Sequence, residues 1–340
     1  MSFKTVIANP VHEPVREMLA GAGPVVVNEG PDPWDAETLR ARCRDAQALM
    51  AFMTETVDRD FIAACPELRI VAGALKGYNN IDVAACEDAG VVLTIVPDLL
   101  TAPTAELTLG LMISLARNMG PGERLVRSGK FRGWRPQFYG GSINGSTVAV
   151  IGAGAVGQSI LKMLTGFDCV RLYSDHTQLP PSTEKALACR HVGIEEARHR
   201  ADFLVLALHL KPDTIHLVDA DFIAAMKPGS YLVNPARGSL VDESAVHAAV
   251  ADGRLAGYAA DTFEMEDWSL PGRPEHIHEG LLENDRTVLT PHIGSAVSAV
   301  REQIELSAAK SILAVANGKV PDTAVNRPTM PFNRPSGEQV

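Results

Sequence analysis

The stretch 147–175, TVAVIGAGAVGQSILKMLTGFDCVRLYSD, constrains this chain more than any other. An apolar run at 148–151 enters Gly152-Ala153-Gly154-Ala155-Val156-Gly157, a helical pattern follows, and a second apolar run ends on an acid. The order is strand, glycine turn, helix, strand. Gly152 permits the tight turn, Gly154 lets the backbone approach a pyrophosphate, and Gly157 lets the helix pack against its strand. The helix start, with Ala155 and Val156, turns its N–H groups and partial positive charge toward phosphates. Asp175 stands where a carboxylate accepts hydrogen bonds from the adenosine ribose hydroxyls and repels a 2′-phosphate, which predicts NAD in preference to NADP.

A chain of 340 residues exceeds the size at which one core keeps growing, so two domains are expected. Strand-like and helical runs alternate over 5–95 and again over 203–290, the pattern of βαβ units and parallel sheets. The fold class is therefore α/β, with two Rossmann-like domains built on parallel sheets. The expected division is 1–100 with 296–325 as a substrate-binding domain and 101–295 as the dinucleotide domain. The stretch 326–340, rich in proline and polar residues, is expected to be a loose tail.

Composition narrows the partners. A net charge of -10 argues against nucleic acid or an anionic membrane, and any anionic substrate needs a locally basic site. The five cysteines are scattered without CxxC spacing, which reads as reduced thiols and no metal site. The N-terminus has no long apolar leader, and the apolar helical run at 107–116 falls short of the ~20 residues that span a bilayer. A cytoplasmic setting is expected.

Three further motifs follow apolar strands. Arg237 lies in Asn234-Pro235-Ala236-Arg237-Gly238, just past a carboxyl strand end, where open α/β sheets bind ligands. Arginine offers a planar, permanently charged fork for oxyanions. Asp261 to Glu266 follow the next strand, and Thr290-Pro291-His292 the one after that. A lone histidine is usually structural and a lone glutamate usually solvated. An arginine, an acid and a histidine delivered to one sheet edge read instead as a catalytic set, the acid fixing the histidine tautomer.

The motifs GAGAVG, NPARG, DTFEMED and TPHIGS, in this order and at these separations, resemble the D-isomer-specific 2-hydroxyacid dehydrogenases over 5–317. The resemblance implies a two-domain NAD(H) oxidoreductase, a homodimer, with its active site in the interdomain cleft. Arg237, Glu266 and His292 would be its catalytic residues, and Pro235, Ala236, Asp261 and His292 would lie beside the cofactor. Lys76 before Gly77, Glu266-Asp267-Trp268, Ser295-Ala296-Val297, Arg301, the 133–140 segment and Ala51-Phe52-Met53 are similar to a phosphite-oxidising branch of that family, the phosphonate dehydrogenases. That closer likeness implies a substrate pocket made from Lys76, Gly77, Arg237, Arg301, Met53, Trp134, Tyr139 and Ser295.

The chemistry agrees with such a pocket: phosphite near neutral pH is largely a dianion, and desolvating a dianion calls for more than one cation. The expected reaction is NAD-dependent oxidation of phosphite to phosphate, with His292 taking a proton from water. The alternatives are a D-2-hydroxyacid dehydrogenase or glyoxylate-hydroxypyruvate reductase, and a non-catalytic NAD-sensing binding protein.

Overall fold

The structure is a computed structural model that describes residues 2–96 and 98–328; most of the stretch expected to be a loose tail lies outside the described residues. By its internal contacts the chain divides into two compact units, Met1–Leu100 with Ala296–Val340, and Thr101–Ser295. The fold is α/β, and both sheets are parallel throughout.

The first unit contains β1 (Thr5–Ile7), β2 (Val25–Val27), β3 (Ala48–Ala51), β4 (Ile70–Gly73) and β5 (Val92–Thr94) in the order β2-β1-β3-β4-β5. β1, β3 and β4 are buried along their whole length, which explains their continuous apolar runs: a strand covered on both faces has no polar side to alternate with. Aspartates start the intervening helices. Asp35, Asp58 and Asp82 each accept a hydrogen bond from a backbone N–H three residues on, satisfying a donor that the first helical turn leaves unpaired. The chain order reverses between β1 and β3, and in open α/β sheets such a switch point is where ligands collect.

The helix Ser298–Ala316 belongs to this unit although it comes last in the sequence. Ile304, Ala308, Ala309, Ile312 and Val315 are buried in the core that also holds Val6, Leu49 and Ile70. Asn326 anchors the segment beyond it, which corrects the expected start of a loose tail. Its Oδ1 accepts from the Leu93 N–H at 2.8 Å and its Nδ2 donates to the Val91 carbonyl at 2.9 Å, so it finishes the hydrogen bonding of the outer strand β5.

The second unit contains β6 (Thr147–Ile151), β7 (Val170–Ser174), β8 (Cys189–His191), β9 (Phe203–Leu206), β10 (Ser230–Asn234), β11 (Leu255–Ala260) and β12 (Thr287–Leu289), in the order β12-β11-β10-β9-β6-β7-β8. Alternate residues of β6 serve two cores: Val148 and Val150 face one with the helix Thr101–Ala116, while Ala149 and Ile151 face the other. β8 was not legible as an apolar run, because Cys189-Arg190-His191 lies at the sheet edge and is only partly buried. The switch point lies between β6 and β9, at the carboxyl end of the strand that carries the glycine turn. No helix among the described residues is long and apolar enough to cross a membrane.

Replacing Asn326 with Ala strands the buried Leu93 N–H of β5 and the buried Val91 carbonyl just before it. Each unmet group costs about 1–3 kcal/mol, so the variant is expected to be destabilised by about 2 kcal/mol, read as a lowered thermal midpoint. An unchanged midpoint would show that β5 does not depend on this side chain.

Candidate active site

The glycine turn has the shape a dinucleotide needs. Gly152 has φ +99°, in the left-handed region, and a Cβ there would collide with the Ala207 carbonyl. A Cβ on Gly157 would collide with the Gly152 carbonyl, so the helix Ala155–Met163 sits as close to β6 as backbone allows. A Cβ on Gly154 would meet no protein atom, leaving the space over the turn open. These residues fit a pyrophosphate laid across the turn. Asp175, one residue beyond β7, accepts from the Ala153 N–H at 2.7 Å and the Thr177 N–H at 3.2 Å. Burial pushes its carboxyl up, but these N–H groups and His176 more than offset it and leave it below the usual range. An ionised carboxylate therefore stands at the rim of the turn.

β10, β11 and β12 exit side by side and carry Arg237, Glu266 and His292. Asn234, fully buried at the end of β10, accepts from the Ala236 N–H at 3.1 Å and donates to the Arg237 carbonyl at 2.7 Å, which folds the Asn234-Pro235-Ala236-Arg237 turn. Arg237 is partly buried and donates to the Ala236 carbonyl at 2.8 Å. Burial opposes its charge, while Asp267 and Glu266 support it. Gly238 then passes so near the next turn that a Cβ would fall on the backbone of Phe263 and Glu264. The Ser239 N–H donates to Asp267 Oδ2 at 2.8 Å across the same contact.

Glu266 lies in the short 3-10 turn Glu264–Glu266. Its Oε1 accepts from the Phe263 N–H at 2.9 Å, and its Oε2 is 2.5 Å from His292 Nδ1. A carboxylate only accepts, so Nδ1 carries the hydrogen and Nε2 is left with a lone pair, the form a general base requires. His292 has φ +53°, a conformation that costs a non-glycine residue about 1 kcal/mol or more and persists only when its surroundings enforce it.

Asp261 enforces it. This aspartate, expected beside the cofactor, is 1% exposed and bonded to the histidine loop. Its Oδ1 accepts from Thr290 Oγ1 at 2.6 Å and the Ile293 N–H at 2.8 Å, and its Oδ2 accepts from the Gly294 N–H at 2.8 Å. Burial raises its carboxyl above the usual range, against the pull of these donors and His292. Ser295 follows directly at the end of that loop.

Lys76, Gly77, Met53 and Arg301 belong to the first unit, where they share one edge. The loops after β3 and β4 are tied together by Asn80, whose Nδ2 donates to the Phe52 carbonyl at 3.0 Å and the Glu55 carbonyl at 2.6 Å. Buried Glu55 braces the same loop, accepting from the Phe52 N–H at 2.5 Å and from Asn9 Nδ2, beyond β1, at 2.9 Å. Met53 and Lys76 are thus carried on two fastened loops. The Arg301 guanidinium lies 5.9 Å from the centre of the Phe52 ring.

Two expected pocket residues are not brought to either group. Trp134 and Tyr139 are 78% and 79% exposed, on a segment of the second unit held by Asn118 Nδ2 bonding to the Phe138 and Tyr139 carbonyls. Their rings have no core to enter, because the 129–140 segment is exposed throughout. Among the described residues, no group of three or more His, Cys, Asp or Glu is placed to hold a metal ion.

Comparison with known proteins decides the family. Residues 109–294 match the model of the D-isomer specific 2-hydroxyacid dehydrogenase, NAD binding domain. The chain belongs to that family. It is an NAD-dependent oxidoreductase, and the glycine turn above is part of the matched region. The chain is 34% identical over 343 residues to a glyoxylate reductase of Thermococcus onnurineus (strain NA1), covering 99% of this chain and 100% of the relative. Among solved structures it is similar to a 2-hydroxyacid dehydrogenase from Ketogulonicigenium vulgare Y25, with TM-score 0.81, 28% identity, and coverage of 96% of this chain and 100% of the other. A glyoxylate reductase from Paecilomyes thermophila superposes with TM-score 0.82 at 25% identity, covering 95% of this chain and 98% of the other.

Gly238 and Asp267 stand in the quoted motifs without an assigned role, and the close approach of Gly238 to Phe263 makes a testable claim. Gly238→Ala must push the arginine turn away from the glutamate turn. A displacement near 1 Å can cost about a hundred-fold in rate, so kcat is expected to fall by about that factor while NAD binding, followed by fluorescence titration, persists. Turnover within a few-fold of the parent would show that the contact does not set the geometry.

Proposed function

We propose that this chain oxidises phosphite to phosphate, with Lys76, Arg237 and Arg301 holding the anion and His292, oriented by Glu266, as general base. The observation that carries the reading is the number of partly buried cations. A single carboxylate is satisfied by one bidentate arginine, whereas a compact dianion stripped of water needs further positive charge. Burial works against the charged form of all three, most simply relieved by an anion.

Bound NAD supplies the hydride acceptor. Arg237 and Lys76 orient the phosphite oxygens. His292 Nε2 takes the proton from the attacking water, and Glu266, bonded to Nδ1, steadies the imidazolium that forms. Phosphite, water and NAD thereby give phosphate, NADH and one proton. The Asp175 carboxylate supports a preference for NAD over NADP. A homodimer in the cytoplasm is part of the same proposal.

The comparisons support a second reading better than this one, since the Thermococcus and Paecilomyes relatives bear the name glyoxylate reductase. In that reading Arg237 holds the carboxylate of a 2-oxo acid, and imidazolium His292 hands a proton to its carbonyl oxygen. A substrate panel followed at the NADH absorbance separates the two. Phosphite is expected to yield NADH and phosphate in a one-to-one ratio, with little turnover of D-lactate, D-glycerate, glyoxylate or hydroxypyruvate. Brisk reduction of glyoxylate or hydroxypyruvate by a protein that ignores phosphite would overturn the phosphite reading in favour of the second. His292→Asn should lower either activity by about two to four powers of ten.

Lys76 adds a pH signature. Burial lowers its ammonium below the ordinary lysine value, and Asp98 opposes the shift. A lowered value means the charge is lost at lower pH than in a free lysine, whose value is about 10.4. KM for the oxyanion is therefore expected to climb on the alkaline side before that point, and Lys76→Arg should abolish the climb because guanidinium stays protonated. A KM profile identical in both proteins would remove Lys76 from the anion.

A further inference from the structure

Glu305 is a carboxylate that the reaction above does not use, and it is buried: its side chain is 4% exposed, on the helix that carries Arg301. Its Oε2 accepts from the backbone N–H of His12 at 3.0 Å and from His12 Nδ1 at 2.8 Å. Its Oε1 lies 3.9 Å from a terminal nitrogen of Arg301, one helical turn earlier. One oxygen is therefore held firmly by His12, while the other stands beside the arginine without closing to hydrogen-bond distance. Burial opposes the Arg301 charge and Glu305 supports it. A buried carboxylate this near a cation competes with any anion that approaches the same guanidinium.

We propose that Glu305, tethered by His12, is a positioning residue that sets how much of the Arg301 charge reaches the substrate. The inference rests on the reading of Arg301 as a substrate cation. By holding Oε2, His12 keeps the carboxylate from closing on Arg301; by standing 3.9 Å from the guanidinium, Glu305 keeps Arg301 from binding the oxyanion so tightly that release of the charged product slows. The two neighbours of one carboxylate thus act in opposite directions on KM.

The test is a set of variants assayed on phosphite, or on glyoxylate if the panel identifies that substrate. Glu305→Gln keeps an acceptor for His12 and removes the charge. KM is expected to fall by roughly five-fold, about the effect of one partly screened charge pair, with kcat unchanged or lower. His12→Ala frees the carboxylate to close on Arg301, and KM is expected to rise. In the Arg301→Ala background neither change should move KM further, because the group through which they act is gone. A purely structural Glu305 would instead raise KM in both backgrounds. Should Glu305→Gln fail to fold, the His12→Ala pair with and without Arg301 carries the test. If Arg301→Ala leaves KM unchanged, the reading of Arg301 itself fails. If Arg301→Ala raises KM while Glu305→Gln does not lower it, or His12→Ala acts equally without Arg301, the present inference alone is overturned.

Discussion

Every strand in each sheet points the same way, and the placement of chemistry in this protein depends on that constraint. A parallel sheet delivers all its strand exits to one edge, so residues far apart in sequence arrive together without any long loop. In the second unit β10, β11 and β12 present Arg237, Glu266 and His292 in spatial order. In the first unit β1, β3 and β4 present Asn9, Met53 and Lys76, and the helix Ser298–Ala316 brings Arg301 over Phe52.

Topology brings the loops together, but buried carboxylates fix them. Asp261 holds the loop of His292, Glu55 the loop of Met53, and Glu305 joins the His12 loop to the last helix. Each would cost several kcal/mol if it were buried unpaired, so each stays only where backbone N–H groups meet it. Burial raises the Asp261 and Glu55 carboxyls, against the pull of the hydrogen-bond donors around them. The donors recover that cost through local geometry, and the left-handed backbone of His292 is one product of it.

Charge is handled the same way. Arg237 has Asp267 and Glu266 near it, Lys76 has Asp98, and Arg301 has Glu305. In each case burial works against the cation and the neighbouring acid offsets part of that cost.

The sequence by itself determined the nucleotide half of this protein. The order of strand, glycine turn, helix and acid at 147–175 is local, and glycine is the only residue whose missing Cβ permits the turn at Gly152 and the close packing at Gly157. The motifs around Arg237, Glu266 and His292 were legible because each follows an apolar strand, and alternation of strands and helices implies parallel sheets. Tertiary structure alone decided what joins them. Gly238 looks like any glycine until an added Cβ is found to strike Phe263, and the three donors from the next strand exit that surround Asp261 carry no signal in its motif. Asn80, Glu55 and Glu305 carry no motif, because their partners lie up to 293 residues away and a one-dimensional pattern records only neighbours. Trp134 and Tyr139 entered through the resemblance, and only the fold showed that their segment lies exposed on its unit.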